Sequence, residues 1–100
     1  SELRAKELND SLNNYKAWRD YQPLALGIEK QLFKHINDLQ LSASKRVVQK
    51  LLHYHTHNTR YLQNIGAGGV RYNLDGTESG VIIQPEREHA GRILAAKQKV

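Results

Sequence analysis

Apolar positions along this chain recur mainly at helical spacing, with one short exception just after residue 69. Over residues 2–18, Leu8, Leu12 and Tyr15 fall three or four apart among Lys, Glu and Asn, predicting an amphipathic helix with a thin apolar face. Tyr21, Gln22 and Pro23 break it, because a residue preceding proline is pushed out of the α region. Ile28, Leu32, Ile36 and Leu39 then stand at i, i+4, i+8 and i+11 and predict a second helix from near Gly27. Phe33 widens its stripe, while Glu29, Lys30, Lys34 and Asn37 are left for solvent.

A third helix follows Ser42-Ala43-Ser44, where either serine can accept from the first free backbone N–H groups. At about 100° per residue, with Arg46 as origin, Lys50 falls near ~40°, His53 near ~−20°, His57 near ~20° and Arg60 near ~−40°. Val48, Leu51, Leu52, His55 and Leu62 occupy the opposite side. The pattern therefore predicts an apolar face backed by a cationic strip. Thr56-His57-Asn58-Thr59 is poor helix material and can split the element, re-aiming Arg60 and Tyr61.

Gly66-Ala67-Gly68-Gly69 ends this helix, and Val70-Arg71-Tyr72-Asn73-Leu74 alternates with period two. Asp75-Gly76 before Val81-Ile82-Ile83 makes a small β-hairpin of the two runs. Pro85, with Glu86 and Glu88 in a favourable first turn, opens a last helix carrying Ala90, Ile93, Leu94 and Lys97. The expected architecture is one mainly α domain of about five helices with one short β-hairpin. Residues 1–21 form its N-terminal amphipathic helix and residues 22–100 its core.

Charge adds a direction to this picture. Fifteen Lys and Arg against ten Asp and Glu give a net charge of +5, so an anionic partner is expected. The excess is concentrated: between Asp38 and Asp75 there is no acid, yet Lys45, Arg46, Lys50, Arg60 and Arg71 and three histidines lie there. The absence of cysteine removes disulfides, thiolate zinc sites and cysteine nucleophiles and fits a reducing compartment, the cytoplasm. No apolar run approaches the ~18 residues of a membrane span, and no signal-peptide pattern is seen. With no Met in its 100 residues, the chain reads as an excised domain.

Several constellations compete for a functional role. His53, His55 and His57 suggest a metal, but on a helix His55 turns into the apolar face, and two ligands fall short of a zinc site. The glycine run Gly66-Ala67-Gly68-Gly69 follows a helix and precedes a strand, the reverse of a dinucleotide loop, and reads as a permissive turn. Ser79, Asp75 and His89 make a triad only on paper, without a nucleophile elbow, so no catalysis and no cofactor are expected. Arg60, Tyr61 and Arg71 combine planar cations with a π-face, which suits single-stranded nucleic acid. The alternative puts Tyr61 in the core with both arginines in solvent. Ser42, Ser44, Lys45 and Arg46 bring hydroxyls and cations to a helix N-terminus, which can bind phosphate or simply cap the helix.

The ordered set Pro23-Leu24-Ala25-Leu26-Gly27-Ile28, Ser44-Lys45, Arg60-Tyr61-Leu62 and Gly69-Val70-Arg71-Tyr72-Asn73-Leu74-Asp75-Gly76, followed by the last helix, resembles the FinO domain of the ProQ/FinO family of bacterial RNA chaperones. The resemblance runs from about Gln22 to Val100. It implies a FinO-like domain with a concave basic face and no enzymatic activity. The partners it implies are small regulatory RNAs and mRNA 3′ regions, bound at the base of an intrinsic-terminator hairpin and its 3′ U-rich tail. Such binding would stabilise RNAs and promote duplex formation in post-transcriptional regulation.

By matching position, Tyr61 and Arg71 would sit in the pocket for the 3′ end, Lys45 would meet stem phosphates, and Arg92 matches another basic position. Ala25, Gln49 and His53 depart from family members with Lys or Arg there, and Arg46 and Lys50 can compensate. The expected RNA-binding set is Ser42, Ser44, Lys45, Arg46, Lys50, His53, Arg60, Tyr61, Arg71 and Arg92, on a monomer without membrane contact. Two other classes compete: a DNA-binding regulator using the helices around Ser42 as a helix-turn-helix, and a basic protein-interaction module.

Overall fold

In the computed structural model, which describes residues 2–99, the element order is α1 (Glu2–Leu12), α2 (Lys16–Arg19), α3 (Glu29–Asp38), α4 (Lys45–Thr56), α5 (Thr59–Gly66), β1 (Val70–Tyr72), β2 (Glu78–Val81) and α6 (Gln84–Gln98). This is a mainly helical domain with one two-stranded antiparallel sheet. Its dimensions of 37 × 34 × 19 Å make it a thin slab.

The N-terminal helix is shorter than its apolar spacing predicts. It stops at Leu12, where the Asn14 amide donates to the Ser11 carbonyl and the Tyr15 N–H to that of Leu12. Asparagine side chains compete for backbone groups in this way, which is why they favour turns over helix interiors. The turn redirects the chain so that α2 drives Ala17 and Trp18 into the core, the indole N–H donating to the Asn9 side-chain carbonyl at 2.9 Å. With Leu8 and Leu12 also fully buried, residues 1–21 are less an appendage than one wall of the hydrophobic interior.

Helix α3 buries Leu32, His35 and Ile36, whereas Phe33 and Leu39, expected on the inner stripe, face outward. His35 is held by the Ser11 hydroxyl at 2.9 Å and the Tyr15 hydroxyl at 3.2 Å, which ties α3 to the first turn. The long central helix divides at His57-Asn58. Ser44 caps α4 by accepting from the Val47 N–H, and Asn58 caps α5 by accepting from the Arg60 N–H.

The hairpin is displaced relative to the apolar runs. Its second strand is Glu78–Val81, with Val70 opposite Val81 and Tyr72 opposite Glu78 across an irregular register. Asp75 explains the shift. Its carboxylate accepts from both the N–H and the hydroxyl of Thr77, so the tight turn is completed early and Glu78 pairs at once. Gly80, at φ +83°, takes up the irregularity in a conformation that a side chain would strain. Residues 23–25 run alongside β1, the Tyr72 N–H donating to the Pro23 carbonyl and the Ala25 N–H to that of Tyr72.

Helix α6 packs along α5, burying Ala90 with Ile93 and Leu94 at the margin. Two of its cations fasten it. Arg87 Nε donates to the Gly66 carbonyl at 3.0 Å, and Lys97 Nζ donates to the His57 carbonyl. Both acceptors lie at helix C-termini, where carbonyls lack intrahelical partners and favour positive charge.

Candidate nucleic-acid interface

Helix α4 carries cations on one side because its apolar residues must face α1 and α3. Val47, Val48 and His55 are buried, while Lys45, Arg46, Lys50 and His53 are exposed. None of these four has an ion-pair partner among the described residues. A shallow cleft of about 290 Å³ runs along them, lined by Arg46, Gln49, Lys50, His53 and Tyr54. At the start of the helix Ser44 is occupied in capping, whereas Ser42 is exposed.

His55 does leave the strip for the interior. Its imidazole is sandwiched between Trp18, with centroids 3.6 Å apart and planes 16° off parallel, and Tyr21, at 4.5 Å and 14°. Burial lowers its pKa from 6.5 to about 4, and Nε2 has no hydrogen-bond partner. His53 and His57 stay together on the outside, stacked at 4.1 Å, with His57 Nδ1 2.8 Å from the His53 carbonyl oxygen. Among the described residues no group of three or more His, Cys, Asp or Glu is placed to hold a metal ion.

Where α4 ends, a cavity of about 370 Å³ opens between α5 and α6. Thr56 and His57 form one rim, Tyr61, Leu62 and Ile65 the α5 wall, Arg71 the floor, and Pro85, Glu86, His89, Ala90 and Ile93 the α6 wall. Tyr61 and Arg71 thus meet in one cavity, but both are largely buried. The Tyr61 hydroxyl accepts from the Leu24 N–H at 3.2 Å. Arg71 Nη1 donates to the Leu24 carbonyl at 2.8 Å and Nη2 lies 3.3 Å from Glu86 Oε1, leaving Nε buried without a partner. Glu86 also accepts from the Ile83 N–H, and this bond, reinforced by Arg71, holds its carboxyl below the usual range.

Arg71 therefore inverts the expected strand pattern. Period-two alternation puts Val70 and Tyr72 inward, but it is Arg71 that is buried between them. The guanidinium can be buried because a carbonyl and a carboxylate satisfy it.

Arg60 parts company with Tyr61. Its guanidinium lies 5.8 Å from the Tyr21 ring centroid and borders a separate groove with Gln22, Asn64, Gly68, Gly69 and Tyr72. The break at His57-Asn58 has turned it out of line with the α4 strip. Arg92 is exposed on α6, about 60° around the helix from His89 and one turn on. Residue spacing did not reveal Thr56, Glu86, His89 or Ile93 as cavity residues, since only the packing of α6 on α5 brings them to Tyr61. Tyr54 was open to detection: it lies four residues beyond Lys50, at the margin of the same strip.

The ProQ/FINO family model matches residues 4–100. An RNA chaperone ProQ from Idiomarina loihiensis is 34% identical over 82 residues, covering 81% of this chain and 39% of that protein. One from Histophilus somni strain 2336 is 38% identical over 81 residues, covering 79% of this chain and 37% of that protein. The chain thus spans about two fifths of the length of these relatives. Among solved structures, NMB1681 from Neisseria meningitidis MC58, a FinO-like RNA chaperone, superposes with a TM-score of 0.81 over 94% of this chain and 76% of that one. At 22% identity that likeness establishes a shared fold.

Proposed function

The chain belongs to the ProQ/FinO family, and from that premise we propose that it is an RNA-binding domain for the base of an intrinsic-terminator hairpin and the single-stranded 3′ tail beside it. Lys45, Arg46 and Lys50, with the exposed Ser42 and the start of α4, hold stem phosphates. The cavity of Tyr61 and Arg71 receives the last unpaired nucleotides, where 2′-hydroxyls help distinguish RNA from DNA.

The observation that supports this reading most is the position of His57. It stacks on His53 of the cationic strip and also forms the rim of the cavity, so a stem on the strip would deliver its tail directly into the opening. Burial changes what Tyr61 can do there. Its ring is a wall against which a terminal nucleotide packs, rather than a free plate between bases.

Arg92 flanks the same opening from α6, whereas Arg60 is left for a more distant phosphate. The domain acts as a monomer in the cytoplasm, on small RNAs and mRNA 3′ regions. Stabilisation and duplex promotion are then activities of the whole protein of which this chain is the RNA-holding part.

The test is binding of one terminator hairpin with and without its 3′ tail, with double-stranded DNA of the same sequence as competitor. The tailed RNA should bind tightest and DNA should fail to displace it. Equal affinity for both RNAs would remove the cavity from the mechanism, and displacement by DNA would favour the DNA-binding regulator.

A further inference from the structure

Tyr54 is the most exposed aromatic residue among those described, with 72% of its surface in solvent, and its hydroxyl has no hydrogen-bond partner there. A lone surface tyrosine would need no explanation. This one stands on the cationic side of α4, one turn beyond Lys50 and two beyond Arg46, and the three line one edge of the same cleft. His53 meets it edge-on, with ring centroids 6.0 Å apart and planes at 73°. His53 in turn stacks on His57, which rims the cavity. A row of rings thus crosses α4, from the cavity at one end to an open phenol at the other, beside two cations without an ion-pair partner.

We infer that the Tyr54 ring, with His53 at its edge, is a stacking platform for one unpaired nucleobase at the foot of the bound stem, and that Arg46 and Lys50 take the adjoining phosphates. Charge for the backbone and a π-face for the base is the combination by which proteins hold single-stranded nucleic acid. The inference rests on the RNA-binding reading above and adds a second unpaired strand to it. Two strands leave the foot of a stem. With the 3′ tail directed over His57 into the cavity, the strand left for Tyr54 is the 5′ flank.

The experiment compares two tailed terminator hairpins, one ending flush at its 5′ side and one with three unpaired nucleotides there. Each is titrated with wild-type protein and with Tyr54→Ala, Tyr54→Phe and Arg46→Ala. The wild type should prefer the flanked RNA. Tyr54→Ala should lose roughly five- to tenfold on that RNA and little on the flush one, at the lower end of what a stacked base contributes because the ring lies open. Tyr54→Phe should keep the preference, since the face and not the hydroxyl carries it.

The exposed position makes an unchanged melting temperature the expected control for Tyr54→Ala. Loss of affinity in Arg46→Ala with none in Tyr54→Ala on the flanked RNA overturns the platform and leaves the RNA-binding reading standing. Equal losses by Tyr54→Ala on both RNAs likewise overturn it, and no binding of either RNA by the wild type overturns both.

Discussion

The sandwiched His55 makes a quantitative prediction about stability and pH. Because burial lowers its folded pKa from 6.5 to about 4, the unfolded chain takes up the proton first. The contribution is fully present above pH 6.5 and is lost as pH falls toward about 4. At about 1.4 kcal/mol per pKa unit the full effect is about 3 kcal/mol, of which about 2 kcal/mol is reached by pH 5.

The perturbation is His55→Phe, which keeps a ring between Trp18 and Tyr21 and removes both the titration and the unpartnered Nε2. Its larger ring costs up to about 1 kcal/mol in a packed site, a penalty independent of pH. Urea unfolding at pH 8 and pH 5, followed by the fluorescence of the single Trp18, gives the four stabilities needed. His35, whose pKa burial also lowers, is present in both proteins and cancels in the difference. The wild type should lose about 2 kcal/mol more than the variant between the two pH values. Equal losses would mean that His55 is not the group held neutral in the core.

Two further outcomes follow from the site. Tyr61→Phe removes the acceptor of the buried Leu24 N–H and should cost about 1–2 kcal/mol in thermal unfolding, while a larger effect on tailed-hairpin binding than on stability would show a direct role for the hydroxyl. If about five of Lys45, Arg46, Lys50, Arg60, Arg92 and Lys30 touch phosphate, log K should fall with log salt at a slope of roughly −3.5 to −4.5, and a flat response in a salt titration would refute the phosphate contacts.

Helical arithmetic on α4 separated Arg46, Lys50 and His53 from Val48 and His55 because both faces are set within one continuous helix. It failed at Arg60, since two residues at the break rotate everything beyond them. The outward Phe33 shows a related limit: apolar spacing marks a stripe, but the neighbouring elements decide how wide a stripe can be covered. At β1 the alternation was legible and its direction was not. Arg71 faces inward because Leu24, 47 residues away, and Glu86 on the final helix supply its partners. The Tyr61 cavity was out of reach for the same reason, as its opposite wall is α6. The order of motifs led to the family even so, because it registers the whole fold rather than any one contact.

The two cations by which α6 grips α5 have a consequence for the order of events during synthesis. Arg87 reaches back to Gly66, Lys97 to His57, and Glu86 to Arg71. On the ribosome, where chains emerge N-terminus first, α1 to α4 can collapse around Trp18 while the cavity still lacks a wall. The cationic face is therefore available to nascent-chain neighbours, including the translated message, before the cavity has closed. Selectivity for a tail would be the last property this domain acquires.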